Sequence, residues 1–136
     1  MKRYLLDTGI AADFVAKRQP VYQKAEDATV RGIRVGIALP VVAELLAGAE
    51  YSSSRDRNLR SLRQGLIGIR AWPFNRDAAE EYARLYAYLK RAGRLIGQND
   101  IQIAAIAISM GGTVLVTKDS DFAAIPGLTI EDWSQP

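Results

Sequence analysis

Short unbroken apolar runs alternate along the chain with longer stretches in which apolar positions recur every three or four residues. Those two patterns separate buried strands from packed helices. The first run, Arg3-Tyr4-Leu5-Leu6, stops abruptly at Asp7-Thr8-Gly9 and reads as a short strand. A helix is expected over residues 10–17, with Lys17 and Arg18 well placed at its negative end. A second should start near Pro20 and run to about residue 31, where Gly32 breaks it. Residues 33–38 alternate as a strand. Pro40 then opens a helix, PVVAELLAGAEY, on which Val41, Leu45 and Gly48 share a face and Glu44 flanks it. Ser52, Ser53 and Ser54 give a turn and an N-cap before a basic helix, RDRNLRSLRQGLIG, with Leu59, Leu62, Leu66 and Ile69 at helical spacing. Residues 71–74 are short and extended. Asn75 caps a long helix over residues 76–92, striped by Ala79, Tyr82, Tyr86 and Leu89 and widened by Leu85 and Tyr88; Gly93 closes it.

The remaining stretch is the most informative. QNDIQIAAIAISM is apolar almost all round, with Asp100 on its first turn, and Gly111-Gly112 stops it. TVLVT (113–117) is a buried strand, and a turn over residues 118–121 returns acids at Asp119 and Asp121. Pro126-Gly127 precedes a last strand over 128–130 and a polar tail containing Trp133. Strands alternating with helices, and no linker or repeat, predict one α/β domain over residues 1–136. Its mostly parallel sheet of about five short strands should carry helices on both faces.

Composition narrows the chemistry. The chain has no histidine and no cysteine, which removes Ser-His-Asp and Cys-His catalysis and the usual zinc ligand sets. A hydrolase built from this sequence must use carboxylates, with a hard cation such as Mg²⁺ or Mn²⁺. Eighteen basic against fifteen acidic residues leave a net charge of +3, which permits a polyanionic partner without demanding one. No apolar run approaches the ~20 residues of a membrane span. The opening MKRYLLDTG does not read as a signal peptide, and a reducing cytoplasm is the expected compartment.

Acids fall where parallel sheets bind ligands, outside the carboxyl ends of strands. Asp7 ends the first strand, and Asp119 follows the TVLVT strand by two residues. Glu44 and Asp100 lie on helices that must pack against that sheet. Each also has a plain structural reading: Asp7 and Thr8 as a helix cap, Asp100 beside an Asn99 cap, Glu44 as a solvated flank, and Asp119 and Asp121 as turn formers. If they converge, the carboxylates repel one another unless a cation lies between them. Mg²⁺ keeps waters and leaves room for phosphate oxygens, so the combination points to phosphate-ester chemistry on a nucleic acid.

LLDTG at Asp7, PVVAELLAGAE around Glu44, IGQNDIQIAAIA around Asp100, LVTKDSDF around Asp119 and the ending GLTIEDWS occur in an order and spacing that resemble PIN-domain proteins of the VapC type. These are the toxin halves of prokaryotic toxin–antitoxin pairs. The resemblance covers almost the whole length. It implies a PIN-like three-layer fold and a Mg²⁺-dependent endoribonuclease whose catalytic acids are Asp7, Glu44, Asp100 and Asp119. The metal would be held chiefly by Asp7, Asp100 and Asp119. It further implies supporting roles for Thr8 and Thr117, a homodimer, a cognate antitoxin that blocks the site, and tRNA as substrate, the initiator tRNA included. The family usually has Asn or Ser where this chain has Gly9, which loosens a support without removing a ligand. Asp121 is the alternative to Asp119 as the fourth acid.

Two competing classes share parts of the pattern. A Mg²⁺-dependent phosphatase of the haloacid-dehalogenase type would want a second Asp where Gly9 stands. A receiver-like signalling module suits Thr117 and Lys118, yet strand two ends in Leu39-Pro40 with no Asp. A non-catalytic binding module of the same fold is the third option. Arg55, Arg57, Arg60, Arg63 and Lys118 are candidates for RNA contact. Tyr82, Leu85, Tyr86, Tyr88 and Leu89 cover more arc than a one-sided helix needs and are the expected antitoxin or dimer surface.

Overall fold

The computed structural model describes residues 2–136. Five strands form one parallel sheet in the order β3-β2-β1-β4-β5, with β1 Arg3–Leu6, β2 Arg34–Ala38, β3 Arg70–Trp72, β4 Thr113–Val116 and β5 Thr129–Glu131. Helices α1 (Thr8–Val15) and α2 (Val21–Val30) connect β1 to β2, and α3 (Leu39–Tyr51) and α4 (Arg55–Gly65) connect β2 to β3. The chain then returns across the sheet through α5 (Arg76–Arg91) and α6 (Gln98–Met110) to β4. Strand order therefore reverses at β1, and the crevice between the carboxyl ends of β1 and β4 is the topological switch point where such sheets bind ligands. Among the described residues, no helix is long and apolar enough to cross a membrane.

The sheet is buried by residues the apolar runs supply: Leu5, Leu6, Ile37, Leu115 and Val116 are essentially inaccessible. Helix α6 buries Ile101 and the whole run 103–107, as a helix apolar all round must. It ends where Gly111 and Gly112 take positive φ (64° and 55°), a conformation that costs other residues a Cβ clash. Arg3, at the start of β1, donates to the last carbonyls of α6 at Met110 and Gly111 (both 3.3 Å), a cation on the negative end of that helix. Arg34 and Arg70 stand at the starts of β2 and β3. With Lys17 they line a cleft of about 550 Å³, whose walls include Phe14, Tyr22 and Gly65. The amino edge of the sheet is thus cationic.

Several expected boundaries shift, each for a physical reason. Helix α1 begins at Thr8 rather than residue 10 because Asp7 caps it. Ser54 makes no capping bond; Ser52 Oγ instead donates to the Ala49 carbonyl (2.7 Å) and accepts from Asn58 Nδ2 (2.8 Å). On α5 the buried positions are Ala78, Leu85 and Leu89. The tail is not polar throughout, because Trp133 is buried, lies edge-on to Tyr4 with ring centroids 4.8 Å apart, and donates to Glu131 (3.1 Å).

Candidate active site

The carboxyl edge of the sheet gathers the acids. Helices α1, α3 and α6 all begin there, so their positive ends face whatever negative charge collects. Asp7 follows β1 directly. Its Oδ1 accepts from the Thr8 N–H (2.7 Å) and its Oδ2 from the Thr117 hydroxyl (2.8 Å). Asp7 is therefore both the cap of α1 and a pocket residue; the two readings are compatible. Thr117 lies just past β4 and is only 2% exposed. Its backbone N–H is held by the Glu131 carbonyl (2.9 Å), and its hydroxyl oxygen also accepts from the Asp119 N–H (3.0 Å). One buried hydroxyl thus ties Asp7 to the turn that carries Asp119. Asp119 in turn accepts from the Asp121 N–H (2.9 Å) and caps a 3-10 helix over Ser120–Ala124.

Glu44 reaches the same edge from the second turn of α3. Its two oxygens are taken by two different elements: Oε2 accepts from the Thr8 hydroxyl (3.0 Å) and Oε1 from Asn99 Nδ2 (2.8 Å). Asn99 does not cap α6, whose N-cap position is Gly97 with no side-chain bond. Its amide was invisible to sequence reasoning as a functional group. The available signal was only its place beside Asp100 on the first helical turn.

Electrostatics show which acids share a field. Burial pushes the Asp100 carboxyl up from 3.8 to about 6, and the charges of Asp7, Asp119, Glu44 and Asp121 add to it in that order, with no hydrogen-bond donor acting against them. Burial also raises Asp7, opposed by its bonds from Thr117 and Thr8 and reinforced by Asp119 and Glu44. The structure therefore brings Asp7, Glu44, Asp100 and Asp119 together. Asp119 acts on both Asp7 and Asp100, whereas Asp121 has the weakest influence on Asp100, which favours Asp119 as the inward acid. Among the described residues, every lysine or arginine ion pair lies elsewhere, so none neutralises these acids. Lys118 leans over the start of α1, where a side-chain carbon on Gly9 would lie 3.6 Å from its Cε.

This donor set fits a hard cation in its chemistry: it offers only oxygen, is negatively charged, and has no basic residue in place of an ion. Among the described residues, no group of three or more acids is drawn closely enough around one point to hold an ion as it stands.

The outlying expectations divide. Arg55 is committed to Glu50 (2.6 Å) and Asp56 (2.7 Å), and Arg57 donates to Ser54 (3.1 Å). Arg60 and Arg63 are exposed and carry no ion pair among the described residues. On α5, Leu85 and Leu89 belong to the core and are removed from the expected docking surface. What remains is Tyr82, stacked between Phe74 (6.0 Å, edge-on) and Tyr86 (6.2 Å, stacked), with Tyr86 36% and Tyr88 50% exposed.

Comparison with known proteins gives this geometry its relatives. Residues 4–128 match the model of the PIN domain. Ribonuclease VapC2 of Haemophilus influenzae is 32% identical over 98% of this chain and 99% of its own. The tRNA(fMet)-specific endonuclease VapC of Salmonella typhimurium is 31% identical over 98% and 99%. Among solved structures, VapBC2 of Rickettsia felis bound to a DNA fragment from its promoter superposes with a TM-score of 0.88 at 30% identity, covering 96% of this chain and 98% of that one.

Proposed function

From the premise that the chain belongs to the PIN-domain family, and within it to the VapC toxin–antitoxin ribonucleases, we propose that it is a toxin that cleaves RNA with a divalent cation at the Asp7, Glu44, Asp100 and Asp119 pocket. The observation that carries the proposal is the clustering of those four acids at the switch point, with no basic side chain among the described residues paired to them.

Mg²⁺, or Mn²⁺ in its place, would polarise the scissile phosphate and activate a water for in-line attack. The chain's own residues supply the rest. Asp7, Asp100 and Asp119 are the metal-holding set. Glu44, hydrogen-bonded at both oxygens by Thr8 and Asn99, stands beside them. Thr117 keeps Asp7 and the Asp119 turn in register. Lys118 at the rim, and Arg60 and Arg63 on α4, are cations available to RNA phosphates.

The substrate class proposed is tRNA, the initiator tRNA included, because the Salmonella and Shigella flexneri relatives, each 31% identical, are named tRNA(fMet)-specific endonucleases. The partner proposed is a cognate antitoxin, since the Rickettsia and Salmonella neighbours are VapBC complexes. A homodimer and a cytoplasmic site of action complete the proposal.

Sequencing RNA ends after induced expression, wild type against Asp7→Ala, tests it directly. New 5′ ends concentrated in tRNA for wild type only are expected, and purified protein should lose cleavage in EDTA and regain it with Mg²⁺. Equal RNA ends in both strains, or EDTA-resistant cleavage, refutes the reading.

A further inference from the structure

We infer that Asn99 is a positioning residue for the proposed reaction: with Thr8 it clamps Glu44, and so locks the pose of Glu44 to the positions of Asp7 and Asp100. The inference rests on the nuclease reading for its consequence, though not for its geometry.

The arrangement has a simple logic. Glu has the longest reach of the converging acids and the most rotamer freedom to lose. Left alone beside three other carboxylates, it would swing away from them into solvent. Two neutral donors prevent that, one on each carboxylate oxygen. Their places in the sequence matter more than their number. Thr8 is the residue immediately after Asp7, and Asn99 is the residue immediately before Asp100. Each grips Glu44 from the helical turn that carries its neighbouring acid, α1 in one case and α6 in the other. The three acids are thereby fixed relative to one another through a single carboxylate.

Asn99 has no competing structural duty on view. Its side chain does not cap α6, and it makes no other side-chain hydrogen bond among the described residues. Asn99 is also exposed, so its bond to Glu44 contributes little to stability. An amide suits the place because it donates without charge: a lysine or arginine there would neutralise the pocket, and a carboxylate would repel Glu44. Groups that orient metal-site residues from one shell further out commonly cost 10–100-fold in affinity or activity when removed.

The test is a double-mutant cycle of Asn99→Ala and Glu44→Ala, read in two ways. In metal-free protein, ¹³C relaxation of the Glu44 side chain should show it ordered in wild type and mobile in Asn99→Ala. In loaded protein, calorimetry should show Asn99→Ala weakening Mg²⁺ binding about tenfold, with kcat lowered and KM for RNA unchanged. The same substitution in the Glu44→Ala background should not weaken Mg²⁺ binding further. A Glu44 side chain that stays ordered in Asn99→Ala overturns the inference, as does an equal penalty in both backgrounds. If Glu44 becomes mobile as expected but wild-type protein neither binds Mg²⁺ nor cuts RNA, the clamp stands and the nuclease reading falls.

Discussion

Replacing Asp100 with Asn should stabilise the metal-free protein while abolishing cleavage, and the size and pH dependence of the gain follow from the site. Burial and four neighbouring acids raise the Asp100 carboxyl from 3.8 to about 6. At roughly 1.4 kcal/mol per pH unit, a shift of that size would correspond to about 3 kcal/mol if it were fully expressed. The side chain is only partly buried, so solvent and salt screening reduce the expected cost of its charge to about 1 kcal/mol. The sign is set by which state holds the proton more tightly. The folded protein keeps it up to about pH 6, whereas the unfolded chain releases it near pH 4. Wild-type stability without metal should therefore be greatest, as far as this group is concerned, below pH 4, and fall as pH rises toward 7. The Asp100→Asn variant has no proton to lose there and no such dependence. Urea denaturation in EDTA at pH 4.5, 6 and 8 should show the variant and wild type converging at the acid end. At pH 8 the variant should lead by about 1 kcal/mol, roughly 3–4 °C in Tm for a chain of this size. Saturating Mg²⁺ should reverse the order, since ligand at ~100 times its Kd adds about 2.7 kcal/mol to whichever protein binds it. A variant less stable than wild type at pH 8 in EDTA, or a difference that does not change with pH, would refute the claim that these acids share one field.

Thr117→Val removes the hydroxyl that donates to Asp7 and accepts from the Asp119 N–H. It should cost about 1–3 kcal/mol in urea denaturation and most of the activity, with Thr117→Ser retaining both; an unaffected Val variant would contradict the bridging role. Arg60→Ala with Arg63→Ala should weaken RNA binding and flatten its dependence on salt, by about one unit of slope for each phosphate no longer neutralised, read from binding isotherms at several ionic strengths. An unchanged slope would assign those arginines to solvent alone. Tyr86→Ala and Tyr88→Ala should leave Tm within about 2 °C because both rings are exposed, yet lower antitoxin affinity or shift the dimer equilibrium in sedimentation. Failure to do either would remove this face from the interface.

The order of the elements was readable because prolines, glycines and unbroken apolar runs punctuate the chain, and because the central strands β1 and β4 are buried along most of their length. The convergence of acids was readable for a topological reason: Asp7 and Asp119 follow adjacent parallel strands, and the register Leu6 to Val116 sets Asp7 beside Thr117, two residues before Asp119. Contacts between distant residues were not readable. Asn99 meets Glu44 across 55 positions, and nothing local distinguishes that amide from a cap. The stripe of α5 was misjudged because tyrosine counts as apolar in a helical wheel. Here the phenols stack along the periphery with Phe74 while Leu85 and Leu89 take the core. Trp133 was read only as part of a polar tail, whereas its ring closes over Tyr4 on the first strand.

The two edges of the sheet differ in sign: Arg3, Arg34 and Arg70 stand at the strand starts, and Asp7, Asp119 and Glu131, with Lys118 among them, at or just beyond the strand ends. A protein charged in this way is an electric dipole aligned with its strands, although its net charge is only +3. In the field of a polyanion such a body experiences a torque as well as an attraction, and the torque turns its arginine edge forward and its carboxylates away. Neutralising the acidic pole weakens that torque and lets either edge approach.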